Sequence, residues 1–247
     1  MVPVSFAFEV GGEEFRLVPG EDRRGPQGGA ALYWPREQAL LVADLHLEKA
    51  SHYARTGQFL PPYDSRETLG RVAAAVRQTG AQRVYTLGDN FHDAGGPARL
   101  DPHAAGMLAA LTAALDWVWV TGNHDEGQDG GARADCGGTF VEELEIAGIV
   151  LRHQAKAGEA RPELSGHYHP KVRLRLRQRH IARPCGVLGH GPGGADRLIL
   201  PAFGALTGGM DASDPAIVEA LQPARRIDAL LPAGGKLVQL PLWHEAA

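Results

Sequence analysis

At 247 residues and 44% apolar content the chain can fold as one large α/β domain with a buried core, which excludes a disordered protein. A formal charge of −4 excludes a global pull toward polyanions or anionic membranes, so nucleic-acid affinity would need a local basic patch. Cys136 and Cys185 are too few for a disulfide framework or a thiolate zinc site, and no apolar run reaches the length of a membrane span. With no signal-peptide pattern at the N-terminus either, a cytoplasmic protein without a membrane partner is expected.

Residues 4–10 and 15–18 are short apolar runs around Gly11-Gly12, a hairpin signal. Residues 31–34 and 39–43 predict two more strands. The second is continuously apolar, as in a strand buried on both faces, and it delivers Asp44 and His46. Residues 47–56 predict a short helix stopped by Gly57. Asp64 is the predicted N-cap of the next helix, with Glu67 at the capping-box position. Leu69, Val72, Ala73 and Val76 form its apolar stripe, and Gly80 ends it. Residues 83–87 follow as a strand, completing a βαβ unit, and run into Gly88-Asp89.

Asp101-Pro102 predicts a helix start, and that helix reaches about residue 115. Residues 116–120 form a strand with Trp117 and Trp119 in its core, delivering Gly122-Asn123-His124-Asp125. A Gly- and Asp-rich loop covers 126–138. Residues 139–145 and 149–152 predict a hairpin about Ala147-Gly148 that ends in His153. Residues 164–165 lead into Gly166-His167-Tyr168-His169. Residues 171–179 alternate with period two, which predicts one strand with a basic face. Beyond it lie a Gly/Pro-rich loop over 182–194, a strand over 197–201 and a packed turn over 203–209. The tail predicts a short helix from Pro215 and strands near Ile227 and Leu237. No repeat or boundary is visible, so a single domain over 1–247 is expected.

Five strands thus end on metal-ligand residue types: Asp44 and His46, Asp89, Asn123, His153, and His167 with His169. Gly88 lacks a Cβ, so other groups can crowd its strand end, where open α/β sheets place their ligands. Carboxylate, amide and imidazole donors suit hard divalent ions with vacant positions. Two ions about 3.5–4 Å apart need a bridging carboxylate to offset their repulsion, and Asp89 is the candidate. Asp44, His46, Asp89 and His169 make one expected site; Asp89, Asn123, His153 and His167 make the other. His180 and His190 are alternatives to His153, which is preferred because it ends a strand before the last block. A hydroxide between the ions would attack phosphorus. His124, held by Asp125, would protonate the leaving oxygen or stabilise the developing charge. Each dipeptide alone is a weak signal; the ordered set of five is a strong one.

The order Asp-x-His, Gly-Asp, Gly-Asn-His-Asp, His, Gly-His-x-His over roughly residues 40–170 resembles the calcineurin-like metallophosphoesterases. That resemblance implies an α/β fold built as a four-layer α/β/β/α sandwich of two mixed sheets, with the dimetal site at strand ends. Residues 42–49, 58–64 and 200–209 further resemble the bacterial ligase-associated, PdeM-type group. This implies a manganese-dependent phosphodiesterase or DNA endonuclease, with Fe2+, Zn2+ and Mg2+ as other candidate ions. It also implies DNA repair beside a DNA ligase, a helicase and a second nuclease. Asn90 departs from the serine expected in that group and is not read as a ligand. Gly88-Asp89-x-Phe91-His92 also resembles a block in other repair nucleases, which implies a scissile-phosphate contact for His92; the alternative is that His92 supports the ligands from behind.

Lys171, Arg173, Arg175, Arg177 and Arg179 would lie on one strand face, at about 6.6–6.8 Å spacing, able to follow a phosphate backbone. The alternative is an edge strand kept soluble by charge. Lys49, His52 and Arg55 sit near the mouth, either meeting substrate phosphate or facing solvent. Two competing functions remain: a small-molecule phosphatase or nucleotide pyrophosphohydrolase using the same site, and a non-catalytic repair scaffold.

Overall fold

The strands split their side chains between separate cores, and this sets the layers. The computed structural model describes residues 6–19, 29–125, 136–176, 179–233 and 235–245. One seven-stranded sheet runs in chain order: β1 (Phe6–Val10), β2 (Glu13–Val18), β3 (Ala31–Trp34), β4 (Ala39–Val42), β5 (Arg83–Leu87), β6 (Asp116–Val120) and β7 (Thr139–Val141). Pairing is antiparallel from β1 to β4 and parallel from β4 to β7. The second seven-stranded sheet has the order β16 (Lys236–His244), β15 (Arg226–Ala233), β13 (Gly186–His190), β14 (Arg197–Ile199), β10 (Glu163–Ser165), β9 (Ile149–Arg152) and β8 (Glu143–Ile146). A separate ribbon pairs β11 (Lys171–Leu176) with β12 (Arg179–Pro184).

In β4, Ala39 and Leu41 join the core between the sheets, while Leu40 and Val42 face the helices. In β14, Leu198 faces inward and Ile199 outward. The helices α2 (Asp64–Thr79) and α3 (Pro102–Ala114) supply Leu69, Val72 and Leu108 to the outer core of the first sheet. The short α4 (Pro215–Ala220) supplies Ile217 and Ala220 to that of the second. The expected α/β/β/α order is therefore present, with a thin fourth layer. Among the described residues the remaining α-helix, α1 (Lys49–Ala54), lies between β4 and α2 in the chain.

Several local expectations change. Asp64 does not cap α2: it is the first helical residue, and its Oδ2 accepts the Ala50 N–H of α1 at 3.0 Å. The run 139–145 is not one arm of a hairpin. It breaks at Glu142, so β7 pairs with β6 in the first sheet and β8 with β9 in the second. The expected loop over 182–194 contains β13, an inner strand of the second sheet. Its glycines face crowded ground: a Cβ at Gly189 would sit 3.2 Å from Leu221 Cβ, and one at Gly186 would sit 3.1 Å from Leu198 Cδ1. The basic strand ends at Leu176, and Arg179 opens the next strand instead of continuing the ladder. Arg177, residues 126–135 of the expected surface loop, and Val4 of the first expected strand lie outside the described residues.

The packed turn after β14 ties the sheets together beside Asp44. Phe203 N–H donates to Ala43 O at 2.8 Å and Gly204 N–H to Asp44 O at 3.2 Å. Any side chain at 204 would block this approach, because its Cβ would lie 2.2 Å from Leu45 O.

Candidate metal centre

Parallel pairing brings the donors together. The neighbours β4, β5 and β6 are parallel, and so are β9 and β10, so their carboxyl ends open onto common ground. Past those ends the chain turns abruptly. Among the described residues eight non-glycine positions have positive φ, and five are donors: Asp44 (53°), His46 (44°), Asp89 (49°), His167 (76°) and His169 (48°). Such conformations are costly for L residues, and their concentration at one place marks a functional site.

Asp44, His46, Asp89 and His169 each offer one donor atom within 4.8 Å of the others. His46 Nε2 lies 3.2 Å from His169 Nε2 and 3.7 Å from Asp89 Oδ2, and His169 Nε2 lies 3.5 Å from Asp44 Oδ1. Asp89, His153 and His167 form a second such group. His153 Nε2 lies 3.4 Å from Asp89 Oδ1, 3.0 Å from His167 Nδ1 and 3.0 Å from Asn123 Oδ1, which brings Asn123 into the same set. Asp89 belongs to both of these groups, and His46, His92 and His124 form a third.

The chemistry of these atoms fits cations. His153 Nδ1 donates to Leu87 O at 3.0 Å, so in the neutral ring Nε2 carries a lone pair toward the carboxylate and amide oxygens. Acceptors facing acceptors cannot satisfy one another by hydrogen bonding, whereas a divalent ion satisfies them together. Burial, then the charges of His169 and His124, hold His46 down to about 2. Burial, then His153, lowers His167. Both rings therefore stay neutral at pH 7, the form that binds metal. Asp44 is locked from behind: both its oxygens accept the His167 N–H, each at 3.0 Å.

His124 reaches the centre by two routes. Its backbone N–H donates to Asp89 Oδ1 at 3.0 Å, and its Nε2 lies 3.9 Å from Asp89 Oδ2. Its Nδ1 donates to His92 O at 2.8 Å, so a carbonyl supplies the ring partner expected from Asp125. Asp125 instead accepts the N–H groups of Gly122 (2.9 Å), Asn90 (3.1 Å) and Phe91 (3.2 Å), and burial pushes its carboxyl up. It thereby clamps the Asn123 turn to the Asp89 turn. Asn90 is part of that clamp, donating from Nδ2 to Asp125 Oδ2 at 2.8 Å and to Val120 O at 2.9 Å.

His92 stacks between Tyr53 and His124, with ring centroids 5.5 and 5.3 Å away. Burial first, then Lys49, holds it down to about 4. Behind it His52, expected at the mouth against phosphate or solvent, is instead tied into a pairing that sequence reasoning missed. His52 meets the His92 ring edge-on at 4.7 Å and bonds Asp93 through Nδ1, while Arg99 grips Asp93 with two bonds of 2.8 Å. No local spacing signals a pairing across 41 residues. The alternatives to His153 lie elsewhere: His180 is on β12, and His190 sits between Asp196 and Asp228 at 3.5 and 3.4 Å.

The basic candidates divide. Burial lowers Lys49, and its charge acts on His46 and His92, which puts it beside the donors. Burial, then Arg173 and Lys49, lowers Lys171, whose Nζ donates to Thr207 O at 3.2 Å. Arg173 donates to Gly209 O at 3.1 Å, so it also holds the packed turn. Arg175 and Arg55 are exposed.

The fold and this donor set agree with the metallophosphoesterase pattern that the sequence resembles. A Pseudomonas putida nuclease, MPE, shares the fold at a TM-score of 0.67 and 26% identity, over 96% of this chain and 100% of its own. The Escherichia coli phosphoesterase Yfce aligns at 0.42 and 14% identity over 83% of this chain and 98% of its own. An Aquifex aeolicus protein of unknown function, AQ665, aligns at 0.39 and 15% identity over 57% and 81%. Neither a scan against protein-family models nor a search of curated proteins finds a match. The chain shares the fold of the P. putida nuclease over that nuclease's full length.

Proposed function

We propose that the chain is a metal-dependent phosphodiesterase that cleaves DNA as an endonuclease of the ligase-associated group. One observation carries this reading: Asp89 stands in both donor groups, in a chain that shares its fold with a nuclease over that nuclease's full length. Asp44, His46, Asp89 and His169 would hold one divalent ion, and Asp89, Asn123, His153 and His167 the second. A thiolate-free set of imidazole, carboxylate and amide donors suits Mn2+, with Fe2+, Zn2+ and Mg2+ as other occupants. Bound ions supply Lewis acidity at a phosphoryl oxygen and lower the pKa of water.

The chain's own groups do the rest. His124, as the doubly protonated imidazolium, would give its Nε2 proton to the leaving oxygen and keep its Nδ1–H on the His92 carbonyl, which fixes the ring angle. Asp125 holds the Asn123 and Asp89 turns in register. His92, packed on Tyr53, walls the phosphate, and Lys49 and Lys171 offset its charge.

DNA repair in the cytoplasm, beside a DNA ligase, a helicase and a second nuclease, is the proposed setting, supported by the sequence resemblance. Two cysteines, too few for a disulfide framework, agree with a reducing compartment. No helix among the described residues is long and apolar enough to cross a membrane.

Mn2+-loaded enzyme assayed on supercoiled plasmid, bis-p-nitrophenyl phosphate and p-nitrophenyl phosphate tests the proposal. Plasmid nicking with diester turnover supports it. Monoester turnover alone would replace it with a small-molecule phosphatase. A chain that binds no Mn2+ and is indifferent to Asp89→Asn would be a scaffold.

A further inference from the structure

The connection between α1 and α2 carries an apolar surface that the proposed chemistry leaves unused. Among the described residues four large hydrophobic side chains are exposed. Three of them, Phe59 at 87%, Leu60 at 37% and Tyr63 at 62%, belong to this one loop. The loop is anchored at both ends beside the metal centre. It departs from Tyr53, whose ring stacks on His92 and whose carbonyl accepts the Gln58 N–H at 3.0 Å. It returns at Asp64, which holds the Ala50 N–H at 3.0 Å, and at Ser65, whose hydroxyl donates to Glu48 at 2.7 Å. Pro61 and Pro62 stiffen the tip.

Charge says what kind of molecule suits the surface. Between Glu48 and Asp64 the chain has no carboxylate, and it carries Lys49 and Arg55. The Arg66 guanidinium lies 5.9 Å from the Tyr63 ring centroid and is ion-paired with Asp101 at 2.7 Å, so Lys49 and Arg55 supply the loop's positive charge. Rigid aromatic faces beside cations, next to a phosphate-cleaving centre, match a base with its phosphate backbone. A protein partner would use the same apolar rings but has no need of the Lys49 and Arg55 charges beside them.

We propose that Phe59, with Tyr63, forms a stacking platform for a nucleobase flanking the scissile phosphate. The inference rests on the nucleic-acid reading above. It favours bases with a free π face, as in an unpaired segment or at an open end.

The test uses the full chain loaded with Mn2+, as wild type, Phe59→Ala and Phe59→Trp. Two substrates are compared: a single-stranded oligonucleotide carrying 2-aminopurine, and base-free bis-p-nitrophenyl phosphate. Phe59→Ala is expected to raise KM for the oligonucleotide roughly ten-fold and to abolish 2-aminopurine quenching. It should leave bis-p-nitrophenyl phosphate turnover unchanged, and Phe59→Trp should keep both oligonucleotide signals. Unchanged KM and quenching in Phe59→Ala would overturn the proposal. So would a Phe59→Ala chain altered only in its self-association by size exclusion, which would make the loop a protein-docking surface. Quenching is read without turnover, so failure of the phosphodiesterase reading would show separately, as wild type cleaving neither substrate.

Discussion

His153 occupies the space that a side chain at residue 88 would fill. A Cβ on Gly88 would lie 2.2 Å from His153 Nδ1 and 2.5 Å from its Cβ, and Gly88 already has a φ of 78°. The glycine before Asp89 therefore makes room for His153, which arrives from the other sheet. Gly88→Ala should fold with a lowered Tm and a displaced His153. If His153 holds the second ion of the proposed centre, its loss should cut diester turnover by about two orders of magnitude, a change of about 2.7 kcal/mol in barrier. Metal analysis of the purified variant checks this; two tightly held ions at full activity would contradict it.

The leaving group separates the roles of the histidines. If His124 protonates the departing oxygen, His124→Ala should lose about 10²–10⁴-fold on DNA, whose leaving alkoxide needs a proton. The loss should be much smaller on bis-p-nitrophenyl phosphate, whose leaving group departs unaided. Equal losses on both substrates would assign His124 to positioning.

The basic ribbon makes a salt-dependent prediction. Lys171, Arg173 and Arg175 alternate along β11, with His180 opposite Arg175. Arg173 also holds the Gly209 carbonyl, so Arg175→Glu is the cleaner variant. If Arg175 meets a phosphate, its loss should flatten the log–log dependence of DNA binding on salt by roughly 0.7–0.9. An unchanged slope would leave it a solvated guard on an exposed edge.

A pH effect on stability follows from Glu163. Burial, opposed by Arg152, raises its carboxyl from 4.5 to about 7. The folded state then holds a proton that the unfolded state has lost. Its neutral form is accommodated below pH 4.5, and stability falls as pH rises toward 7. Across that window Glu163→Gln should gain on wild type by on the order of 2–3 kcal/mol. Denaturant unfolding of chelator-treated protein at both ends of the range measures it; a constant difference would contradict it.

The donors were legible in the sequence because each is a polar residue abruptly ending an apolar run, and few other folds need that pattern five times in this order. The layers followed from continuous apolar strands such as β4. What stayed hidden depends on contacts between distant segments. Gly186 and Gly189 disguise β13 as a loop, although they are small because Leu198 and Leu221 pack against them. Glu142 gives no local sign that the chain changes sheets there. Asp64 looks like a cap for its own helix but is drawn to the Ala50 N–H of another. Asp125 lies next to His124 in sequence, yet it spends its oxygens on backbone N–H groups while the His92 carbonyl takes the ring.

Counting bound metal in wild type and Asp89→Asn tests the central claim most directly. With one carboxylate serving both ions, wild type should bind two Mn2+ per chain by calorimetry and elemental analysis. Asp89→Asn should weaken both together and abolish diester hydrolysis. One ion retained at full affinity in Asp89→Asn, or a wild type saturating at a single ion with full activity, would contradict a shared centre.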